Sequence, residues 1–340
     1  MYLSLMMSVF GHLGLDAALD ELQRLGIPAA EVGTGGYPGD AHCRPAELLA
    51  DRGALARFQS SFSDRQLRIS ALACHGNPLH PDPSVSKEHH RVFQDTVLLA
   101  ERLEVDRLVL FSGCPGGSDA AAEPNWVTCA WPTDYLRILD WQWRERVIPY
   151  WREQAAFARA HGVTRLAMEM HPGFVVYNPD TLLRLREAVG EEIGANLDPS
   201  HLVWQGIDPV VAIRELGRAG ALFSTHAKDT ALNRWEISRR GVLDTTPLSD
   251  AGSRSWLFRT VGYGHDALWW KQFVSALREA GYDDALSIEH EDVLASPLEG
   301  VSKAVALLTE CMFTEPPAGA WWTSLSTSAI PLFAVKENQS

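Results

Sequence analysis

Three carboxylates and an imidazole, each standing where an apolar run stops, are the residues in this sequence whose types and spacing could do chemistry together. The run LAMEM carries Glu169, and ANLDPSH ends in Asp198 with His201 three residues on. FSTHAKD carries His226 and Asp229, and ALSIEHED carries Glu289. Four such ends aimed at one point form a hard, anionic, oxygen-rich site. That donor set suits Mn²⁺ best, with Mg²⁺, Co²⁺ and Zn²⁺ as alternatives, and is unlike the thiolate sets of structural zinc. A divalent cation held there can chelate a sugar carbonyl and its neighbouring hydroxyl. It then stabilises the enediolate formed when the C–H between them loses its proton. Carboxylates on either side of the carbon skeleton would carry that proton.

Further polar residues stand at similar positions. Glu31 closes AAEVG and His75 closes RISALACH; both are expected to contact substrate hydroxyls, the alternatives being a capped loop and a core histidine. Lys228 follows the metal-site histidine and serves either to offset enolate charge or to pair with Asp229. Trp126 and Trp131 lie in a Gly/Pro-rich insertion and are placed to stack on a sugar or an aglycone, whereas Trp269 and Trp270, on a helix, are expected in the core. His12 and His171 are weaker candidates. His89 and His90, early in a helix, are expected to be solvated.

The elements that must position these groups alternate along the chain. Buried parallel strands read as continuous apolar runs, and in a parallel barrel the chemistry sits where the strands end. Leu3 to Phe10 reads as a strand, and Leu15 to Leu25 as a helix stopped by Gly26. Ala29 to Gly33 is the second strand, followed by a helix from about Pro45 to Arg65. RISALACHG, a helix from Ser86 to Leu103, RLVLFSG and a helix from about Asp140 to His161 continue the pattern. Asn178-Pro179, Asp208-Pro209 and Ser296-Pro297 each join a capping side chain to proline at the first helical position. Ser296 with Glu299 also matches a capping box. Strand ends near Phe10, Gly33, Gly76, Gly113, Met170, Asp198, His226 and Glu291 predict a single-domain (β/α)8 TIM barrel over residues 1–312. Long insertions follow strand four (Cys114 to Pro132) and strand seven (about Thr230 to Gly264). Residues 313–340 form a C-terminal tail whose Trp321 and Trp322 suit an interface with a second copy or a partner subunit.

Composition bounds the function. A chain of 340 residues exceeds the roughly 250 of a plain barrel by the length of such insertions. The net charge of -13, with no Lys/Arg block, repels phosphate backbones and argues against nucleic acid as a partner. The five cysteines are scattered and odd in number, which points to a reducing, cytoplasmic setting rather than a disulfide framework. The apolar N-terminus lacks a basic leader and is expected to be a strand rather than a signal. No run approaches the length of about 18 apolar residues that a membrane span needs. A small carbohydrate is the expected partner.

MEMHPG, NLDPSH, THAKD, YGHDALWWKQF and LSIEHED together resemble the sugar phosphate isomerase/epimerase-like family of xylose isomerase-type TIM barrels. The similarity runs over most of residues 1–312, with the specific motifs in the last two-thirds. The resemblance implies metal ligands Glu169, Asp198, His226 and Glu289, with Glu169 and Glu289 also serving as the acid/base pair, as in the ketose 3-epimerases. It gives His201 a substrate contact. Those epimerases have a second glutamate shortly after the first and an arginine shortly after the metal histidine; here the stretches read HPGFVV and AKDTAL, so Lys228 is expected to take over part of the substrate contact. The implied activity is that of a metal-dependent sugar isomerase or epimerase. A lyase of the C-glycoside deglycosidase type, acting on 3-oxo-glycosides, is the alternative. A zinc nuclease of the AP-endonuclease IV type would need a histidine on strand four and an Asp-x-His after strand seven, where this chain has Ser112 and Asp229-Thr230-Ala231.

Overall fold

The computed structural model describes residues 1–320 and Trp322. Ten strands are present among them: β1 (Tyr2–Met6), β2 (Ala29–Gly33), β3 (Arg68–Ala73), β4 (Arg107–Leu110), β5 (Arg165–Glu169), β6 (Ile193–Leu197), β7 (Leu222–Ala227), β8 (Asp229–Leu232), β9 (Trp256–Arg259) and β10 (Ala285–Ile288). Eight close into a parallel barrel in the order β1-β10-β7-β6-β5-β4-β3-β2, with helices between successive strands, and β8 and β9 form a separate two-stranded sheet. The single-domain (β/α)8 barrel expected from the alternation is therefore the fold.

Strand periodicity explains how the barrel aims its polar residues. Successive side chains on a strand point to opposite faces. Leu72, Leu108, Leu166, Met168, Leu197 and Ile288 turn outward into the apolar layer shared with the helices. The alternate phase points inward, where Met6, Ala71, Ala73, Val109 and Ala167 pack with Phe223 in a small interior cluster. The phase that hides Met168 therefore turns Glu169 inward, and the one that hides Leu197 and Ile288 does the same for Asp198 and Glu289. Gly194 leaves room for Phe223 inside the barrel: a Cβ there would lie 2.3 Å from the Phe223 ring.

Several elements differ from the sequence expectation. The first strand stops at Met6 and turns into a 3-10 helix, Met7–Phe10. The helix expected from Pro45 to Arg65 is broken at Asp51, whose extended backbone lets its carboxylate accept the Gly53 N–H and cap a second helix. The helix before β5 begins at Asp134 and contains a π-helical stretch, Gln142–Val147. There the buried Gln142 amide donates to the carbonyls of Pro115, Gly116 and Asn125, fastening the first insertion to the helix. Asn178, Asp208 and Ser296 cap their helices as expected, but the reciprocal box belongs to Asn178 and Thr181. Glu299 instead pairs with Lys303 at 3.2 Å.

The second insertion, which gave no readable period, folds as a hairpin with Asp229 opposite Arg259 and Leu232 opposite Trp256. Trp256 stacks flat on Trp204, with ring centroids 4.7 Å apart. Trp270 is fully buried, while Trp269 stacks between His265 and Phe273. At the start of the tail Phe313 lies under the Arg278 guanidinium; Trp322 is exposed, and Trp321 lies outside the described residues. No helix among the described residues is long and apolar enough to cross a membrane.

Candidate metal centre

The centre is built at the C-terminal mouth of β5, β6, β7 and β10. Glu169 is the last residue of β5, and Asp198 follows β6 as the N-cap of the helix Pro199–Trp204. The Oδ1 of Asp198 accepts the Ser200 N–H at 2.8 Å, which leaves Oδ2 for the barrel axis. His226 is fixed from behind: its Nε2 lies 3.1 Å from both oxygens of Glu31. A carboxylate can only accept, so Nε2 carries the proton and Nδ1 presents its lone pair. Nδ1 lies 3.1 Å from Glu289 Oε2, 3.4 Å from Glu169 Oε2 and 3.9 Å from Asp198 Oδ2. Glu169, Asp198, His226 and Glu289 thus present ligand atoms all within 4.8 Å of one another.

Three of those atoms, Asp198 Oδ2, His226 Nδ1 and Glu289 Oε2, are buried and make no well-formed hydrogen bond. Their near neighbours are one another and the Lys228 ammonium, 2.7 Å from Glu289 Oε2 and 3.2 Å from Asp198 Oδ2. Three carboxylates and an imidazole converging in this way fit a divalent cation.

The surrounding cations keep these carboxylates ionised. Burial by itself raises the Glu169 carboxyl, but hydrogen bonds from His201 and His75 and the nearby imidazole charge hold it well below the ordinary carboxylate range. Burial likewise opposes the ionised forms of Asp198 and Glu289, and Lys228 reverses it in both, with His201 helping at Asp198 and His226 at Glu289. The desolvated His226 is in turn raised well above a normal histidine by Glu31 and Glu289. A proton on its imidazole therefore competes with a cation for the same site.

Lys228 is where the Asp229 pairing fails. It is buried, with Nζ 2.7 Å from Glu289 Oε2, 3.0 Å from Glu291 Oε2 and 3.2 Å from Asp198 Oδ2. Asp229 points away and accepts from the N–H groups of Gly262, Gly264 and His265 and from the His265 ring. Neighbours on an extended chain face opposite ways, so Lys228 shares the phase of His226 rather than that of Asp229.

Beside these groups opens a cavity of about 400 Å³, lined by Glu169, His171, Lys228, Glu289 and Glu291 and by the apolar Met6, Val9, Tyr37 and Phe111. Phe111 is stacked on Phe174 at 4.2 Å, and its ring lies 4.8 Å from that of His171. His75 lines this cavity, and its Nε2 lies 3.0 Å from Glu169 Oε2. His201 is buried between two ligands, 3.0 Å from Glu169 Oε1 and 3.4 Å from Asp198 Oδ2. Glu31 sits behind His226, away from the cavity lining, and Trp131 is 81% exposed on the first insertion.

His171, a weak candidate in the sequence, lines the cavity and packs 4.0 Å from the His201 ring. Burial, with His201 beside it, pushes its pKa down to about 3. His89 and His90 are half-buried and each has a partner. His89 Nδ1 accepts the Asn77 N–H at 2.9 Å and His90 meets the Tyr150 hydroxyl at 3.1 Å. Sequence reasoning missed Asn196, which donates to Glu169 Oε2 at 3.1 Å, and Glu291, which holds Lys228. Each lies two residues from a named ligand, the strand period that turns it to the same face.

A sequence profile of the family described as the xylose isomerase-like TIM barrel matches residues 19–311. The chain belongs to that family. The protein of Bacillus subtilis (strain 168) named "Uncharacterized protein YfiH" is 38% identical over 312 residues, covering 91% of this chain and 99% of that protein. Among solved structures, the probable 3-DHS dehydratase AsbF from Bacillus anthracis matches with a TM-score of 0.64 at 16% identity, over 91% of this chain and 99% of its own. The IOLI protein with a bound zinc atom matches at 0.62 and 17% identity, over 93% and 100%. D-psicose 3-epimerase with D-tagatose, from Clostridium cellulolyticum H10, matches at 0.58 and 14% identity, over 92% and 98%. These three share the barrel with this chain.

Proposed function

We propose that this protein is a divalent-metal-dependent isomerase or epimerase that acts on a sugar or keto-sugar by removing a proton next to a carbonyl, with Mn²⁺ as the first metal to test. The observation that carries this reading is the convergence of Glu169, Asp198, His226 and Glu289 below a cavity that Glu169 and Glu289 line together with charged and apolar side chains. Such a mixed lining suits a sugar, which offers both hydroxyls and C–H groups. A bound divalent cation would polarise the carbonyl and offset the charge of the enediolate.

The chain's own groups perform the proton transfer. Glu169 and Glu289 come from opposite parts of the barrel wall, so one takes the proton from carbon and the other returns it. Return to the opposite face of the same carbon is epimerisation, and return to the neighbouring carbon is isomerisation. His201 and His75 keep Glu169 ionised and therefore basic. The Lys228 ammonium offsets the enolate charge where the related epimerases place an arginine. His75, which lines the cavity, contacts a sugar hydroxyl, whereas His201, buried behind the lining, acts through Glu169 and Asp198. The relatives that carry zinc or D-tagatose support a divalent ion and a keto-sugar on this barrel.

A lyase that uses the same enolisation to expel a group from a 3-oxo-glycoside is the second reading, favoured by the apolar groove that opens beside the cavity. The nuclease reading loses its ligands: Ser112 Oγ accepts the Val176 N–H, and Asp229 is consumed by the hairpin.

The test is proton exchange in D₂O with ketoses, aldoses and 3-oxo-glucosides, followed by NMR. Mn²⁺-loaded protein is expected to place deuterium next to the carbonyl. A chelator should stop the exchange, Mn²⁺ or Co²⁺ should restore it, and Glu289→Gln should slow it by about 10²- to 10⁴-fold while the fold persists. Undiminished exchange in verified metal-free protein, or full activity in the variant, sinks the reading.

A further inference from the structure

We infer that the centre holds a second divalent ion, bound by Glu169, His171 and His201 beside the first and sharing the Glu169 carboxylate with it. The inference goes beyond the enolisation reading and does not depend on it. Glu169, His171 and His201 offer ligand atoms all within 4.8 Å of one another. His171 belongs neither to the ligand set that the family resemblance implies nor to the one a nuclease would need. Its own backbone fixes which nitrogen is free to bind. Nδ1 of His171 lies 2.6 Å from the Pro172 carbonyl oxygen, which can only accept, so Nδ1 carries the proton and Nε2 keeps its lone pair. The ring packs against those of Phe111 at 4.8 Å and His201 at 4.0 Å.

Glu169 divides its two oxygens between the sites. Oε2 lies 3.4 Å from His226 Nδ1, on the side of the first cluster, and Oε1 lies 3.0 Å from His201 Nε2. That nitrogen is buried and makes no well-formed hydrogen bond. Glu169 and His171 both line the cavity, so the coordination positions that the protein leaves free open toward the space for substrate. Charge favours a second cation as well. Glu31, Glu169, Asp198, Glu289 and Glu291 set five carboxylates against the Lys228 ammonium. With the imidazoles neutral, as ligands must be, one divalent ion leaves this group negative and a second brings it to balance. Two imidazoles and one carboxylate make a nitrogen-rich set that suits Zn²⁺ better than Mn²⁺, whereas the first set is oxygen-rich. The two sites therefore differ in the ion they prefer.

The experiment counts bound ions on metal-free protein, without substrate, by equilibrium dialysis and elemental analysis against Zn²⁺ and against Mn²⁺. The unmodified protein is expected to bind two Zn²⁺ per chain, and Zn²⁺ should fill the second site about tenfold more tightly than Mn²⁺. His171→Ala should bind one. His171→Glu, which replaces one ligand by another, should bind two. Glu289→Gln should weaken the other ion and leave the His171 ion in place. One Zn²⁺ per unmodified chain overturns the inference, as do two in His171→Ala, which would put the second ion elsewhere. The unmodified protein also decides without any variant. Two Co²⁺ ions that share a carboxylate couple magnetically, so the paramagnetic resonance signal should fall short of doubling when the second Co²⁺ binds; a doubled signal overturns the inference too. The count uses no sugar, so its failure leaves the enolisation reading standing, and a failure of proton exchange leaves the count.

Discussion

Glu31 decides which nitrogen of His226 faces the barrel axis, and through it the quality of the whole donor set. With both carboxylate oxygens 3.1 Å from Nε2, it fixes the tautomer and makes Nδ1 the more basic ligand. Glu31→Gln keeps the shape and removes the charge. Affinity for Mn²⁺ should fall by about 10- to 100-fold, as for other partners that orient metal-binding histidines, while circular dichroism stays unchanged. Competition against a chelating dye reads this directly, and an unaltered affinity would reduce Glu31 to a spacer. The four convergent groups were legible in the sequence because each ends an apolar run, which a strand requires and a loop does not. The task of Glu31 was not, because nothing local to β2 says that it lies across the barrel from β7. Of the two roles the sequence left open to Lys228, the pairing with Asp229 that adjacency suggested fails, because strand alternation gives it Glu289 and Glu291.

At the level of elements, order and type were legible, and the breaks within them were not. Alternating apolar runs and proline-capped starts located the barrel strands, while the Asp51 break and the π-helical stretch depend on one carboxylate and one amide finding backbone partners. The hairpin of β8 and β9 escaped because its strands lie more than twenty residues apart in the chain and are joined by a segment without period. Close packing inside the barrel offers a test of the register. β6 turns Gly194 toward Phe223 of β7, where a Cβ would lie 2.3 Å from the ring. Gly194→Ala should cost about 1–3 kcal/mol by overpacking, seen as a lower denaturant midpoint. Adding Phe223→Leu to make room should recover part of the loss. If Gly194→Ala is neutral, Phe223 does not fill that side of the barrel.

Across the whole molecule, the two ends of the barrel do different work. The C-terminal mouth concentrates carboxylates whose mutual repulsion is offset by Lys228 and the histidines. The opposite end is closed by an ion-pair network that touches no part of the cavity. There Asp284 accepts from the buried Arg107 and from Arg165, takes the Tyr2 hydroxyl at 2.8 Å, and accepts its neighbour's N–H from Ala285 at 2.8 Å. Partial burial opposes the charge of Asp284, and the Arg107 hydrogen bond outweighs it, so the folded pKa lies below the ordinary aspartate value. A carboxylate with a depressed folded pKa binds fewer protons folded than unfolded. Its contribution is therefore full above the unfolded pKa, near 3.9, and is lost as pH falls through the folded value. Asp284→Asn should cost about 2 kcal/mol at neutral pH, the scale of hydrogen bonds to a charged group, because it leaves Arg107 buried with a neutral partner. Urea unfolding of both proteins between pH 7 and pH 3 checks it: the gap should hold down to about pH 4 and narrow below, as the unfolded chain takes up a proton that the native carboxylate still refuses. Mn²⁺ affinity should be equal in the two proteins at pH 7, since the change lies at the end of the barrel away from the ligands. A gap that stays constant down to pH 3 would show that Asp284 acts through shape and not through charge.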